Sequence, residues 1–461
     1  MKSEASESEL HKLLQIAWPL VLSSLISMAI SITDVFMTGW LGQLQLAAGA
    51  AASDFYSTVY YVGLGVIAAL SPIIGQALGA KDRRTIRRST QQAFWVVAVL
   101  CVPGVFIIWH SDFFLSLLQV KHEIIVTALP YSHMMAISFC FMLLAMVWHY
   151  FLSAHKRTQI IFRTMLVILP LNAVGNYILM YGKFGLPEMG LAGVGLSSVI
   201  CAATMFIIYS VYVLRHREYR RYRFPVGFFR LDPECFFAIF RIGLPIGMIN
   251  LAELGIFLLS TVIMGAISVE TLAAHTVAIR MAGVIYALPL GLAQAAAIRI
   301  AFSVGEKNAK ELFASAGTAY KFAVLIGVSY MCLLWAFSGE IAFFFLNPEK
   351  GIDATLAQAS LFLIILAIAQ PLSCVGTISG GILRGLKDTR IPMIITLICY
   401  WGIGFVVAMV LAFVFEYGGT GIWIGLALAE AIVGVIFTLR LIRFKRKITA
   451  DFEGKLVEAV V

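Results

Sequence analysis

Ile16-Ala17-Trp18-Pro19 opens an apolar run that returns 226 residues later, without a gap, as Ile242-Gly243-Leu244-Pro245. The same shift carries Gly39 onto Gly265, Leu46-Ala47-Ala48 onto Leu272-Ala273-Ala274, Gly79 onto Gly305 and Lys81 onto Lys307. A duplicated apolar half is a recurrent plan of membrane carriers. Both copies run in the same direction, so the repeat is of the parallel kind, related by an axis along the membrane normal. A path for a passenger is then expected between the halves.

Composition sets the solvent. With 61% hydrophobic and 13% charged residues over 461 positions and a mean hydropathy of +0.92, the chain reads as an integral membrane protein rather than a water-soluble domain. Crossing about 30 Å of hydrocarbon takes roughly 20 apolar residues. Twelve such runs are found, near 13–38, 47–76, 90–111, 124–151, 159–182, 190–214, 236–265, 272–300, 317–337, 356–382, 391–415 and 419–442. Each span must satisfy its own backbone in lipid, and none alternates like a barrel strand, so the expected fold is all-α. The division expected is 1–214 for the first six spans, 215–235 for a linker, and 236–461 for the last six with a basic tail.

Basic residues place the loops. Lys81, Arg83, Arg84, Arg87 and Arg88 follow the second span, and Arg215, Arg217, Arg220, Arg221, Arg223 and Arg230 follow the sixth. The tail adds Arg443, Lys445, Arg446 and Lys447, whereas the alternate loops hold only Lys121, Lys183 and Lys350. Both termini are therefore expected in the cytoplasm, and the net charge of +9 reads as this topology signal rather than as a nucleic-acid surface. No basic segment precedes the first span and no small-residue site follows it, so no removable signal peptide is expected. The seven cysteines show neither a disulfide framework nor metal-ligand spacing. The basic, aromatic stretch 215–234, with Pro225 and Pro233, reads as a solvated linker.

Ionisable groups inside spans are costly and mark function unless a partner or a cavity explains them. Asp34 stands late in the first span, fifteen residues after Pro19; Glu253 stands mid-way along the seventh, eight residues after the equivalent Pro245. The difference of seven residues is two helical turns, so the two acids project from equivalent faces at different depths. Either could carry a proton or, when charged, ligate sodium. Asn172 and Asn176, four residues apart in the fifth span, share a face from which two amides could hold a carboxylate. Glu430 in the twelfth span is a further candidate for a cavity lining, while Asp54, Arg163, His275 and Arg280 are expected to snorkel or pair at an interface. Pro19 leaves the carbonyl of Gln15 without its helical donor, a point where bending is cheap. Some of the 33 phenylalanines and 17 methionines could form an adaptable binding wall.

These residues together give the chain its resemblance to the multidrug and toxic compound extrusion (MATE) transporters, in particular their NorM-like branch. The resemblance runs over essentially the whole length. It is carried by Ile16 to Pro19 with Asp34, Gly75 to Asp82 (GQALGAKD), Asn176 to Gly185 (NYILMYGKFG) leading to Pro187-Glu188, Glu253, Pro289 to Ala296 (PLGLAQAA) and Leu383 to Thr389 (LRGLKDT). It implies two six-helix lobes forming a V-shaped cleft, alternating access, and export of cationic or amphipathic drugs in exchange for protons or sodium. By position, Asp34, Asn172 and Asn176 would form the coupling-ion site and Glu253 the acid of the second lobe. Where several NorM-like members carry an acid in the tenth helix, this chain has none between Asp353 and Asp388, and Ser373 or a neighbour occupies the region. Proton coupling through Asp34, with bending of the first helix near Pro19, is therefore the expectation, with sodium coupling through Glu253 as the alternative. No cofactor beyond the ion gradient is expected, and a monomer in a bacterial-type inner membrane among its lipids.

Three other readings compete. A lipid-linked oligosaccharide flippase of the same superfamily would share the lobes but need a basic cleft for pyrophosphate. A major-facilitator carrier also has twelve helices in two parallel halves, but not the stretches at 176–185 and 383–389. A membrane enzyme would need a catalytic set, and no Ser/His/Asp arrangement, metal cluster or phosphate-cradling glycine loop is evident.

Overall fold

The computed structural model describes residues 2–224, 226, 230–346 and 353–458; Pro225 and Lys350 lie outside the described residues. Among the described residues, twelve helices are long and apolar enough to cross a membrane. They are α1 (His11–Gly39), α2 (Gln43–Gly79), α3 (Arg83–Trp109), α4 (His122–Ala154), α5 (Thr158–Met180) and α6 (Leu191–Arg215), then α7 (Pro233–Ile267), α8 (Val269–Gly305), α9 (Ala309–Phe345), α10 (Asp353–Gly385), α11 (Arg390–Val414) and α12 (Gly418–Lys445). The described residues contain no strand, as expected where every backbone group must be paired within its own segment.

The repeat read from the sequence is also a repeat of packing. Among the first six helices, α4 packs on α2, α3 and α6, and α5 packs on α6; among the last six, α10 packs on α8, α9 and α12, and α11 on α12. Each of these contacts maps onto its counterpart when six is added to the helix number. Capping is local. Asp82 accepts from Arg84 N and Thr85 N at 3.0 Å and from Thr85 Oγ1 at 2.5 Å, closing the start of α3. The Thr85 hydroxyl above all, with these backbone donors, holds the Asp82 carboxyl below the usual carboxylate range.

Two compact units emerge: Leu22–Met248, here the N-unit, and Met1–Val21 with Ile249–Val461, here the C-unit. Their boundaries fall inside α1 and α7 at positions equivalent by the repeat. They differ from the sequence division at 214 and 236, because the beginning of each unit's first helix packs with the other half of the chain. In the N-unit, Gly243 and Gly247 of α7 lie against Val66 and Val62 of α2, so closely that a β-carbon on Gly247 would sit 2.7 Å from Val62 O. In the C-unit, Gly291 of α8 lies against Val21 of α1. Gly65 and Gly291 are one repeat apart, as are Val21 and Gly247. Small residues at crossings let backbones approach in lipid, where no hydrophobic force drives helices together.

The described part of the segment between α6 and α7 is solvated only on one face: its arginines are exposed, but its aromatic residues are docked. Tyr219, Tyr222 and Phe224 are buried, in edge contact with Trp148 and Phe151 near the end of α4 and with His155 just beyond it. Gln91 Nε2 donates to Phe224 O at 2.6 Å and Val226 O at 3.0 Å, and Gln92 Nε2 to Arg230 O at 2.9 Å. Arg88 pairs with Asp232, which accepts from Cys235 N at the start of α7. The aromatic residues, interleaved with arginines, give the segment an apolar face that composition alone conceals.

His155, just beyond α4, lies 2.8 Å from Phe151 O through Nδ1 and 3.0 Å from Tyr222 Oη through Nε2. Burial pushes its pKa from 6.5 down to about 4. A histidine that is neutral when docked and free to protonate when released favours the docked segment above pH 6.5, and that preference is lost as the pH falls toward about 4. Limited proteolysis within 217–223 should accelerate across that window in wild type and become far less pH-dependent in His155→Gln. A cleavage rate flat over the window in wild type would sink the assignment.

Candidate functional site

α1 and α5 bring Asp34, Asn172 and Asn176 together within the N-unit. The amide pair falls on one face because four residues nearly complete a helical turn. Asn172 Nδ2 donates to Asp34 Oδ1 at 3.0 Å and Asn176 Nδ2 donates to the same oxygen at 2.6 Å. Asn176 Nδ2 also lies 3.5 Å from Asn172 Oδ1, and Ser197 Oγ of α6 donates to Asn172 O at 3.2 Å. Both asparagines are buried and Asp34 is half-buried. Tyr131 and Cys201 are within electrostatic reach of the carboxylate. Oδ1 is thus anchored twice, leaving Oδ2 to take or give a proton. Asn176 Oδ1 is a buried acceptor with no hydrogen-bond partner.

The C-unit does not copy this arrangement. The repeat places Ile398 and Gly402 where α5 carries its amides, and α11 is wound as a π-helix over Ile398–Gly404. π-Bulges open the backbone and recur at functional sites. Here Trp401 Nε1 donates to Ala252 O at 3.1 Å, beside Glu253, and its ring lies against Gly255. Glu253 of α7 is within electrostatic reach of Arg384 from α10 and Glu430 from α12. Ser373 stands beside Glu430, and Tyr286 and Tyr400 complete the group. The second carboxyl near Glu253 therefore comes from α12, and Arg384 is the cation within reach of Glu253.

Sequence reasoning placed Asp34 and both amides, and named Glu253, Glu430 and Ser373, but it missed Arg384, Tyr286, Tyr400 and Trp401. One signal was available: Tyr286 is Tyr60 shifted by the repeat. His275, expected at an interface, is instead fully buried, 3.2 Å from Thr261 Oγ1 and in edge contact with Trp423. A cavity of about 330 Å³ in the C-unit, walled by Leu14, Trp18, Leu288, Phe322 and Tyr330, is almost wholly apolar and holds none of these acids. Among the described residues no group of three or more His, Cys, Asp or Glu could hold a metal ion.

Comparison with known proteins agrees across the chain. Residues 19–178 and 245–410 each match the family described as MatE, one match in each half of the repeat. The chain is 34% identical over 447 residues to a probable multidrug resistance protein NorM from Mesorhizobium japonicum, covering 95% of this chain and 94% of that one. A protein of the same name from Rhizobium meliloti is 33% identical over 433 residues, covering 94% and 93%. Among solved structures, the eukaryotic MATE transporter AtDTX14 superposes with a TM-score of 0.86 at 21% identity over 96% of this chain and 99% of that one. The bent form of the Vibrio cholerae MATE transporter VcmN superposes with a TM-score of 0.83 at 16% identity over 96% and 99%. With the family pattern present in both halves and the fold shared end to end, the chain belongs to the MatE family and is a multi-pass membrane transporter, not an enzyme.

Proposed function

We propose that this transporter exports cationic or amphipathic drugs across a bacterial-type inner membrane in exchange for protons, by alternating access, as a monomer with both termini in the cytoplasm. The observation that carries this reading is the Asp34 carboxylate held at Oδ1 by two amide donors. The nearest groups present N–H bonds to the carboxylate, which suits an acid that gains and loses a proton. A sodium ion would need several oxygen lone pairs converging on one point. The names of the NorM relatives support the choice of multidrug cargo.

Protonation of Asp34 removes the charge that both amides hold, and α1 carries that change. Pro19 lies fifteen residues back along the helix, roughly 22 Å, at the position where the missing backbone donor makes bending cheap. Pro19→Ala should slow export and weaken its dependence on the proton gradient while leaving the protein folded. Unchanged rate and unchanged pH dependence would remove the hinge from the mechanism.

A second reading, sodium coupling in the C-unit, is favoured by the proximity of Glu253 and Glu430. Proteoliposomes loaded with ethidium separate the two. Efflux driven by an imposed pH gradient and indifferent to sodium is the expected result. Efflux driven only by a sodium gradient would transfer coupling to Glu253. No efflux of any cationic drug under either gradient would favour a lipid-linked oligosaccharide cargo.

A further inference from the structure

Four turns of this chain share one backbone design and one side chain. Lys81 after α2 (φ 57°), Lys156 after α4 (φ 60°), Lys307 after α8 (φ 56°) and Lys387 after α10 (φ 60°) all stand in the left-handed region. Each is closed by the same pair of bonds. Lys81 N donates to Leu78 O and Asp82 N to Ala77 O; Lys156 N to Ser153 O and Arg157 N to Leu152 O. Lys307 N donates to Val304 O and Asn308 N to Ser303 O; Lys387 N to Arg384 O and Asp388 N to Leu383 O, all eight between 2.8 and 3.1 Å. This is the Schellman ending of a helix, whose left-handed residue is ordinarily glycine because a β-carbon is disfavoured there.

The backbone bonds already satisfy the helix ends, so capping does not require a lysine. The opposite ends of the bundle supply a comparison within the molecule. Gln119, after the short helix Ser111–Leu117, and Glu416, after α11, are also left-handed (both φ 59°), and neither is cationic. Even-numbered helices of a twelve-span chain all end on one side of the membrane, so the four lysines share a surface and these two residues lie on the other.

The residue following each lysine is committed to protein. Asp82 caps α3, Arg157 Nη2 donates to Glu218 at 2.9 Å, Asn308 Oδ1 accepts from Glu311 N at 3.1 Å, and Asp388 accepts from Arg440 Nε at 2.5 Å. The acids at 82 and 388 are thus engaged with their own neighbours; Glu306 beside Lys307 is exposed. Lys81, Lys156 and Lys307 are exposed; Lys387 is half-buried, and burial lowers its pKa. The geometry points to these four lysines as headgroup sites that bind the phosphates of anionic phospholipids in the leaflet they face, each standing in the turn that ends a membrane helix, five to seven residues beyond its apolar run.

The test uses the full chain, delipidated in detergent and offered phosphatidylglycerol and phosphatidylcholine in equal amounts, with retained lipid counted by mass spectrometry. Wild type should prefer phosphatidylglycerol by about fivefold or more, the factor expected of a single lysine at a charged surface, and the preference should shrink in high salt. Replacing all four lysines with glycine removes the charge while giving each turn its favoured residue. That variant should show a smaller preference, because the arginines of the same face remain, with a melting temperature at or above wild type, and a four-arginine variant should keep the wild-type preference. The proposal is overturned if wild type shows no preference, if the four-glycine variant retains it undiminished, or if soluble glycerol phosphate displaces the lipid, which would mark a site for free phosphate. The readout involves no drug and no gradient, so it succeeds or fails independently of the transport reading.

Discussion

Asp34→Asn should abolish gradient-driven export while leaving the protein folded and able to bind drug. Asparagine matches aspartate in size, and its Oδ1 can still accept from Asn172 and Asn176, which now donate at 3.0 and 2.6 Å to a charged oxygen. The loss is the charge-assisted part of those bonds, within the 1.5–3 kcal/mol typical of about one hydrogen bond to an ionised group. Neither amide loses its acceptor, so stability changes little. The substituted side chain cannot exchange a proton, however, and among the described residues no other acid is hydrogen-bonded to the amide pair. Cells expressing the variant should therefore accumulate ethidium like cells lacking the transporter. Glu253→Gln should retain partial export, because the Asp34 site is intact and Arg384 and Glu430 remain beside the new amide. Full export by Asp34→Asn would remove this residue from the coupling step.

The second large effect concerns the crossing of α2 and α7. A β-carbon at Gly247 would meet Val62 O at 2.7 Å, and one at Gly65 would meet Ile246 C at 2.9 Å, both backbone atoms that cannot rotate aside. Gly243, four residues before Gly247, presents the same face to Val66. Overfilling a close-packed contact typically costs about 1–3 kcal/mol per site, so Gly247→Leu should leave little folded protein. At the equivalent crossing of α8 on α1, the nearest atom to Gly291 is a side-chain methyl of Val21, with Val21 N no closer than 3.1 Å. Gly65→Ala should therefore lower the melting temperature more than Gly291→Ala, although the two glycines are equivalent by the repeat. Equal or reversed losses in detergent would mean that the two crossings are not packed as described.

Much of the fold was legible because apolar length and repetition are one-dimensional signals. Twelve spans and the 226-residue shift needed no knowledge of which helix touches which. Asp34 and the amide pair were legible for a related reason: a lone acid in hydrocarbon and two asparagines one turn apart are conspicuous against an apolar background. Pairing between helices was not. The exchange of the starts of α1 and α7 depends on Gly65, Gly243, Gly247 and Gly291, and a glycine in a membrane helix does not name the helix that will approach it. Arg384 stands within the LRGLKDT stretch, yet its reach to Glu253 depends on the tertiary placement of α10, which packs on α8. The docked segment at 219–224 failed as a sequence reading because its tyrosines and phenylalanine are diluted by arginines, so average polarity hides a buried face.

The central claim is that Asp34 gives up a proton when drug binds. The most direct measurement is proton release from purified transporter in weakly buffered detergent, followed with a pH indicator as ethidium is added, in wild type, Asp34→Asn and Glu253→Gln. The account predicts release from wild type and from Glu253→Gln, and none from Asp34→Asn at drug concentrations that still saturate it. Release that persists in Asp34→Asn and disappears in Glu253→Gln would contradict it and place the titrating group in the C-unit.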